Sequence, residues 1–144
     1  MTRVHAFGDD ALGDLDAVGL AEHLAAGKVS PVEVVDAAIA RCEAVTPTLD
    51  GLALDTYTRA RRQARDPRPG FFSGVPTFVK DNVAVEGLPT QDGCDAFVAR
   101  PAPKDGDFFR MYGATGVVPI GKSQLSEFGF SASAEHPRLG AVRN

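Results

Sequence analysis

Four residues, Ser30-Pro31-Val32-Glu33, fix where a helix must begin. A serine followed three residues later by glutamate forms a capping box, in which each side chain satisfies a backbone N–H of the other. Proline directly after the serine stands at the first helical position, where its missing N–H costs nothing. Behind this start Val35, Ala38, Ile39 and Cys42 recur at intervals of three and four, so one face is apolar and the helix runs to about Val45. Thr46-Pro47 is expected to end it, because the residue before a proline is pushed out of the helical region. A helix with one apolar face requires a layer to cover that face, and the rest of the chain must supply it.

Residues 14–26 read as a second helix, with Leu15, Val18, Leu20 and Leu24 broadly on one side and Gly27 as its stop. A short strand is expected within residues 49–54, followed by an Ala- and Arg-rich helix to about Arg65. Two prolines make residues 66–70 a surface loop. Phe78, Val79, Val83 and Val85 suggest extended structure interrupted at Lys80-Asp81-Asn82, and residues 87–93 are turn-rich. A helix over residues 107–112 stops at Gly113, and residues 116–121 read as a short buried strand. Helices alternating with short apolar strands define an α/β class. The last ten residues, 135–144, carry no helix or strand that would seal a domain, which implies a fragment.

The chain has 144 residues, 44% hydrophobic and 24% charged, the composition of one folded domain. A net charge of −4 and scattered basic residues exclude a nucleic-acid binder. Arg59, Arg61, Arg62 and Arg65 lie at helical spacing and read as a solvated face. Cys42 and Cys94 lack metal-ligand spacing, leaving either one bridge or two free buried thiols in a reducing compartment. His5, His23 and His136 are too dispersed for a metal site and are assigned to surface or loop. With no leader-like segment and no apolar run of membrane-spanning length, the expected location is the cytoplasm, away from membrane.

Residues Gly116-Val117-Val118-Pro119-Ile120-Gly121-Lys122-Ser123 satisfy the phosphate-loop pattern G-x-x-x-x-G-K-[ST]. In such a loop Lys122 would hold phosphates and Ser123 a magnesium ion. A phosphate loop follows a strand, however, and curls its backbone N–H groups around the ligand. Here the four inner residues are themselves strand-like, and Pro119 removes a donor. A nucleotide binder is therefore the weakest of three functional readings.

The segment that carries chemistry is Gly74-Val75-Pro76-Thr77-Phe78-Val79-Lys80-Asp81-Asn82. Phe78, Val79 and Val83 around Lys80 press it toward partial burial, and burial disfavours an ammonium ion, which is how a lysine becomes a usable base. For an arbitrary strand lysine, the ordinary alternative is a surface side chain with its stem along the sheet. Asp81 either orients Lys80 or caps the following turn.

Gly-Val-Pro followed by three residues and Lys-Asp resembles the lysine motif of the amidase signature family. The resemblance continues through Val85-Glu86-Gly87-Leu88-Pro89-Thr90 and Gly93, resumes at Gly113-Ala114, Gly121-Lys122-Ser123 and Glu127-Phe128, and closes at Gly140 and Arg143-Asn144. The two leading helices resemble the family's opening as well. Departures fall at Gln91, Cys94, Met111-Tyr112 and Ser123, positions of packing and secondary contact.

The resemblance implies the N-terminal part of the amidase-signature fold, a mixed sheet with surrounding helices, incomplete here. Residues 1–144 would be the N-terminal portion of an amidase domain, truncated before its Gly-Ser-rich serine region. The implied chemistry is hydrolysis of a linear carboxamide by a Ser–cis-Ser–Lys triad, with Lys80 as general base acting through a bridging serine on a nucleophilic serine. Both serines would fall past Asn144; Ser126, Ser131 and Ser133 do not sit in a Gly-Ser-rich loop. The stretch Gly129, Phe130 and Ser131 is implied to line the substrate pocket, with Phe130 equally readable as core. No metal or organic cofactor is implied. Expected partners are a small amide substrate and a complementary C-terminal segment, and the isolated chain is expected to be inactive. The second reading, of another class, is a non-catalytic remnant that depends on a partner.

Overall fold

The computed structural model describes residues 4–6 and 8–143; Asn144 lies outside the described residues. Helix α1 spans Ala17–Ala25 and α2 spans Pro31–Leu49. The capping box at the start of α2 forms as expected: Ser30 Oγ accepts from the Glu33 N–H at 3.2 Å, and Glu33 Oε2 accepts from the Ser30 N–H at 2.8 Å. Hydrogen bonds from Ser30 hold the Glu33 carboxyl below its ordinary range.

The expected stop at Thr46-Pro47 does not occur, and α2 runs one turn further. A proline in the last turn deletes only one backbone bond. Thr46 Oγ1 donates to the Cys42 carbonyl at 2.7 Å, and the Asp50 N–H closes the end on Thr46 O at 2.9 Å. Asp50 itself is left-handed, with φ 52°. Helix α1 begins later than expected, capped by Asp16, whose carboxylate accepts from the Gly19 N–H at 2.8 Å. Its inward residues are Leu20 and Ala21, packed with Leu24 against Val34 and Val75, while Leu15 and Val18 stay exposed.

Strands β1 (Leu52–Asp55), β2 (Pro76–Lys80) and β3 (Val118–Ser123) form one sheet in the order β1-β3-β2. Strand β3 is antiparallel to β1 and parallel to β2, so the sheet is mixed. Helix α3 (Tyr57–Arg65) follows β1, and α4 (Asp107–Gly113) lies in the long connection that a parallel pair requires. The fold is α/β, as the alternation of elements implied.

Val35, Ile39 and Cys42 of α2, Ala60 and Ala64 of α3, and Val118 and Ile120 of β3 make the main core. Each large aliphatic side chain buried there contributes about 1.5–3 kcal/mol. Gly121 lets β1 approach: a Cβ at this position would sit 2.6 Å from Leu52 Cδ1 and 2.9 Å from Leu54 O. Pro119 is tolerated in a central strand because the register slips beside it, with Thr77 opposite Pro119 and Phe78 opposite Gly121.

Two further segments differ from expectation. Val83 and Val85 belong to no strand, because β2 ends at Lys80 and the chain turns, the Val83 N–H bonding Lys80 O at 3.0 Å. Val85 is nevertheless buried, with Val79 and Phe109, since apolar residues demand cover rather than a particular backbone. Residues 135–141 are also not featureless: β4 (Glu135–His136) and β5 (Gly140–Ala141) pair as a small antiparallel hairpin. The Arg143 N–H ties the end of that hairpin to Leu49 O at 2.9 Å.

Candidate active site

Lys80 is the last residue of β2, and the alternation of that strand decides its surroundings. Val79 is buried, whereas Phe78 and Lys80 on either side of it are exposed. The expected partial burial of Lys80 is therefore not found: among the described residues no layer covers the side to which it points. It borders an open concavity of about 630 Å³ together with Phe78, Val79, Asn82, Val83, Phe108 and Tyr112. Phe108 and Tyr112 stack with ring centroids 5.6 Å apart, and the Tyr112 hydroxyl lies 2.8 Å from Thr77 Oγ1. Among the described residues Lys80 has neither an ion-pair nor a hydrogen-bond partner for its amine.

Asp81 neither orients Lys80 nor simply caps a turn. Its carboxylate Oδ1 lies 2.7 Å from Nζ of Lys122, and the two side chains are 7% and 1% exposed. Lys122 Nζ also donates to Pro89 O at 2.7 Å and to Thr90 Oγ1 at 2.9 Å. Sequence reasoning does not single out this pair, although one signal points to it: a lysine inside a run of strand residues bound for the core must bring a carboxylate with it.

The same geometry removes the phosphate loop. Residues 118–123 are strand β3, not a curled loop, and Lys122 is committed inside the protein. Beyond β3 the chain makes a single 3-10 turn at Glu127–Gly129 rather than an α-helix whose N-terminus could face phosphates.

Gly129, Phe130 and Ser131 lie at and after that turn, and none of them lines the concavity beside Lys80. Phe130 is 90% exposed, so it is not core either. The local backbone is held by Ser126, whose Oγ accepts from the Ser131 N–H and donates to Ser131 O, both at 3.0 Å. Gly129 has φ 75° and Phe128 φ 50°, a sharp left-handed corner that pushes the aromatic rings outward.

Cys42 and Cys94 are free and buried. A hydrogen bond with Glu127 pushes the Cys94 thiol up. Burial, with a hydrogen bond to Cys42, raises the Tyr57 phenol strongly. His136 is not a surface histidine: it is buried in β4, its Nδ1 accepts from the Arg138 and Leu139 N–H groups at 3.2 and 3.3 Å, and its Nε2 lies 3.5 Å from Asp95. Among the described residues no helix is long and apolar enough to cross a membrane.

The chain is an α/β protein whose mixed sheet presents an exposed lysine at the end of an edge strand, and comparison with known proteins gives its family. The chain belongs to the amidase family of amidase-signature proteins, whose sequence profile, described as Amidase, matches residues 33–144. It is 64% identical over 144 residues to AmiC of Mycobacterium leprae (strain TN), a protein described as an amidase, covering all of this chain and 31% of that protein. An indoleacetamide hydrolase of Bradyrhizobium diazoefficiens is 31% identical over 136 residues, 89% of this chain and 26% of its own length. The solved structure of a 6-aminohexanoate cyclic dimer hydrolase superposes with a TM-score of 0.85 at 29% identity, covering 95% of this chain and 28% of that one. The chain thus spans less than a third of the length of these relatives.

Proposed function

We propose that this chain supplies the general base, Lys80, of a serine-dependent amidase that hydrolyses a carboxamide to an acid and an amine or ammonia. The observation that carries the proposal is the unpaired amine of Lys80 at the end of β2, bordering an apolar and aromatic concavity. Such an amine can take a proton only in its neutral form. It would draw that proton through a bridging serine from a second serine, which attacks the amide carbonyl. Backbone N–H groups of a Gly-Ser-rich loop would hold the oxyanion, and water would clear the acyl-enzyme. We place both serines in the part of the relatives' length that these 144 residues do not span. Enclosure by that part would also supply the burial that Lys80 lacks here. The linear character of the amide, and the roles of Gly129, Phe130 and Ser131 in holding it, belong to the same proposal.

A partner-dependent chain without chemistry of its own is the second reading, and one feature favours it. Phe108, Met111, Phe128 and Phe130 are large, apolar and exposed, as expected of surfaces meant to be covered.

The test is release of ammonia from simple aliphatic and aromatic amides. The purified 144-residue chain is expected to release none. The same chain continued in frame through a Gly-Ser-rich segment is expected to turn over, and Lys80→Ala to remove that activity. Turnover by the 144-residue chain alone, abolished by Lys80→Ala, would overturn the assignment of the serines. Full activity of the longer Lys80→Ala protein would overturn that of the base.

A further inference from the structure

The proposed reaction leaves one buried ionic group unused, and it stands one register position from Lys80. Strands β2 and β3 pair Val79 with Lys122 and Lys80 with Ser123. Side chains alternate across a strand, so Val79 and Lys122 share one face while Lys80 points to the other. The chain then turns, and Asp81 returns to the side of Val79, where it meets Lys122.

A lysine ammonium has three donors, and each donor of Lys122 has an acceptor: Asp81 Oδ1, Pro89 O and Thr90 Oγ1. Asp81 is equally committed. Its Oδ2 accepts from the Gln91 N–H at 3.3 Å, its N–H donates to Ser123 O at 3.0 Å, and its carbonyl accepts from the Asp92 N–H at 3.1 Å. The carboxylate adjacent to Lys80 in sequence is thereby turned inward and paired with Lys122.

The other residues that line the concavity beside Lys80 carry no charge. Phe78, Val79, Asn82, Val83, Phe108 and Tyr112 line its concavity. The charged residues of α4, Asp107 and Arg110, pair with each other at 3.0 Å. Asp81 is the carboxylate next to Lys80 in the chain; released from Lys122 it could hold Lys80 as an ammonium ion, and an ammonium ion cannot act as a base.

We infer that Lys122 is a positioning residue for Lys80: by holding Asp81 inside the protein and anchoring the loop at Pro89 and Thr90, it keeps the amine of Lys80 unpaired. The catalytic meaning of this arrangement rests on Lys80 as the base; the arrangement itself does not.

The experiment is competitive acylation of the 144-residue chain with acetic anhydride at mildly alkaline pH. Only a neutral amine reacts, and the rate at Lys80 is read by peptide mass spectrometry against exposed Lys28 and Lys104 as internal references. In Lys122→Met the freed carboxylate is expected to slow Lys80 about threefold or more relative to the references. Lys122→Met combined with Asp81→Asn is expected to restore the wild-type ratio to within about twofold. A purely structural role for Lys122 would change the folded fraction and leave that ratio where it was. An unchanged ratio in folded Lys122→Met therefore overturns the inference.

Asp81→Asn alone keeps the inference testable should Lys122→Met lose its circular dichroism signature. It is expected to leave the Lys80 ratio within about twofold of wild type, because the removed carboxylate was not acting on Lys80. A rise of several-fold would show Asp81 pairing with Lys80 and would overturn it. The expected acylation pattern together with full amidase activity in a longer Lys80→Ala protein would sink the base assignment and leave this one standing.

Discussion

Strands β2 and β3 lie side by side and carry one lysine each, yet the two lysines live in opposite worlds. Lys122 is 1% exposed, has three acceptors for three donors, and sits in a strand whose first five residues are all buried. Lys80 is exposed and unpaired, at the end of a strand with a neighbour on one side only. The sequence neighbourhood of a lysine therefore says little about its burial. Phe78 and Val79 precede Lys80, Ile120 and Gly121 precede Lys122, and both leading contexts look apolar. The two are separated by position in the sheet: β3 is central, and β2 is at the edge.

The contrast can be broken most forcefully at the buried lysine. Lys122→Met strands a buried carboxylate and is expected to cost about 3–5 kcal/mol in urea denaturation; adding Asp81→Asn should recover most of that, since an ion pair replaced as a unit is often neutral. Next in size is a matched pair of truncations. Ile120→Ala in β3 should cost about 2–5 kcal/mol, while Phe78→Ala in β2, at a side chain 44% exposed, should cost less than about 1 kcal/mol. Equal losses in the two strands would erase the distinction between centre and edge.

Smaller effects sharpen it. The hydrogen bond from Arg41 holds the Asp10 carboxyl below its ordinary value, a depressed folded pKa. Its contribution is therefore complete above about pH 4 and lost as the pH falls through the folded value. Acid titration of wild type and Asp10→Asn should show a stability gap near neutrality that closes toward strong acid. Smallest of all, Lys80→Ala should leave stability unchanged to within about 0.5 kcal/mol by thermal unfolding. A large loss there would mean that Lys80 holds the fold together and is not free for chemistry.

Much of this arrangement is legible in the sequence because local rules govern it. The capping box sets the start of α2, Gly27 the end of α1, and the apolar run before Gly121 marks β3 as buried. The end of α2 is not legible, because a proline in a final turn forfeits one bond that Thr46 partly offsets, a contact that no propensity records. The hairpin of β4 and β5 is hidden because two-residue strands have no period to detect. For the site, the motif singles out Lys80 by resemblance, but its exposure depends on the layer stacked over β2, and local pattern does not carry that information. Gly129, Phe130 and Ser131 are held by Ser126 across a left-handed corner, again a contact invisible to spacing. A lysine in the buried run of β3 calls for a carboxylate, but Asp81 comes from a separate part of the chain, so the register is what identifies it as the partner.

The strand order has one more consequence. The central strand of the sheet is the last of the three to be synthesised, and Leu52 waits for Ser123 as Pro76 waits for Val118. On a ribosome, β1 and β2 emerge with no strand to bond to, while α2 can coil at once from its own capping box. The sheet therefore closes late and from distant pieces, which places the slow step of folding at the arrival of β3. A chain stopped before Val118 would leave β1 and β2 without a partner strand.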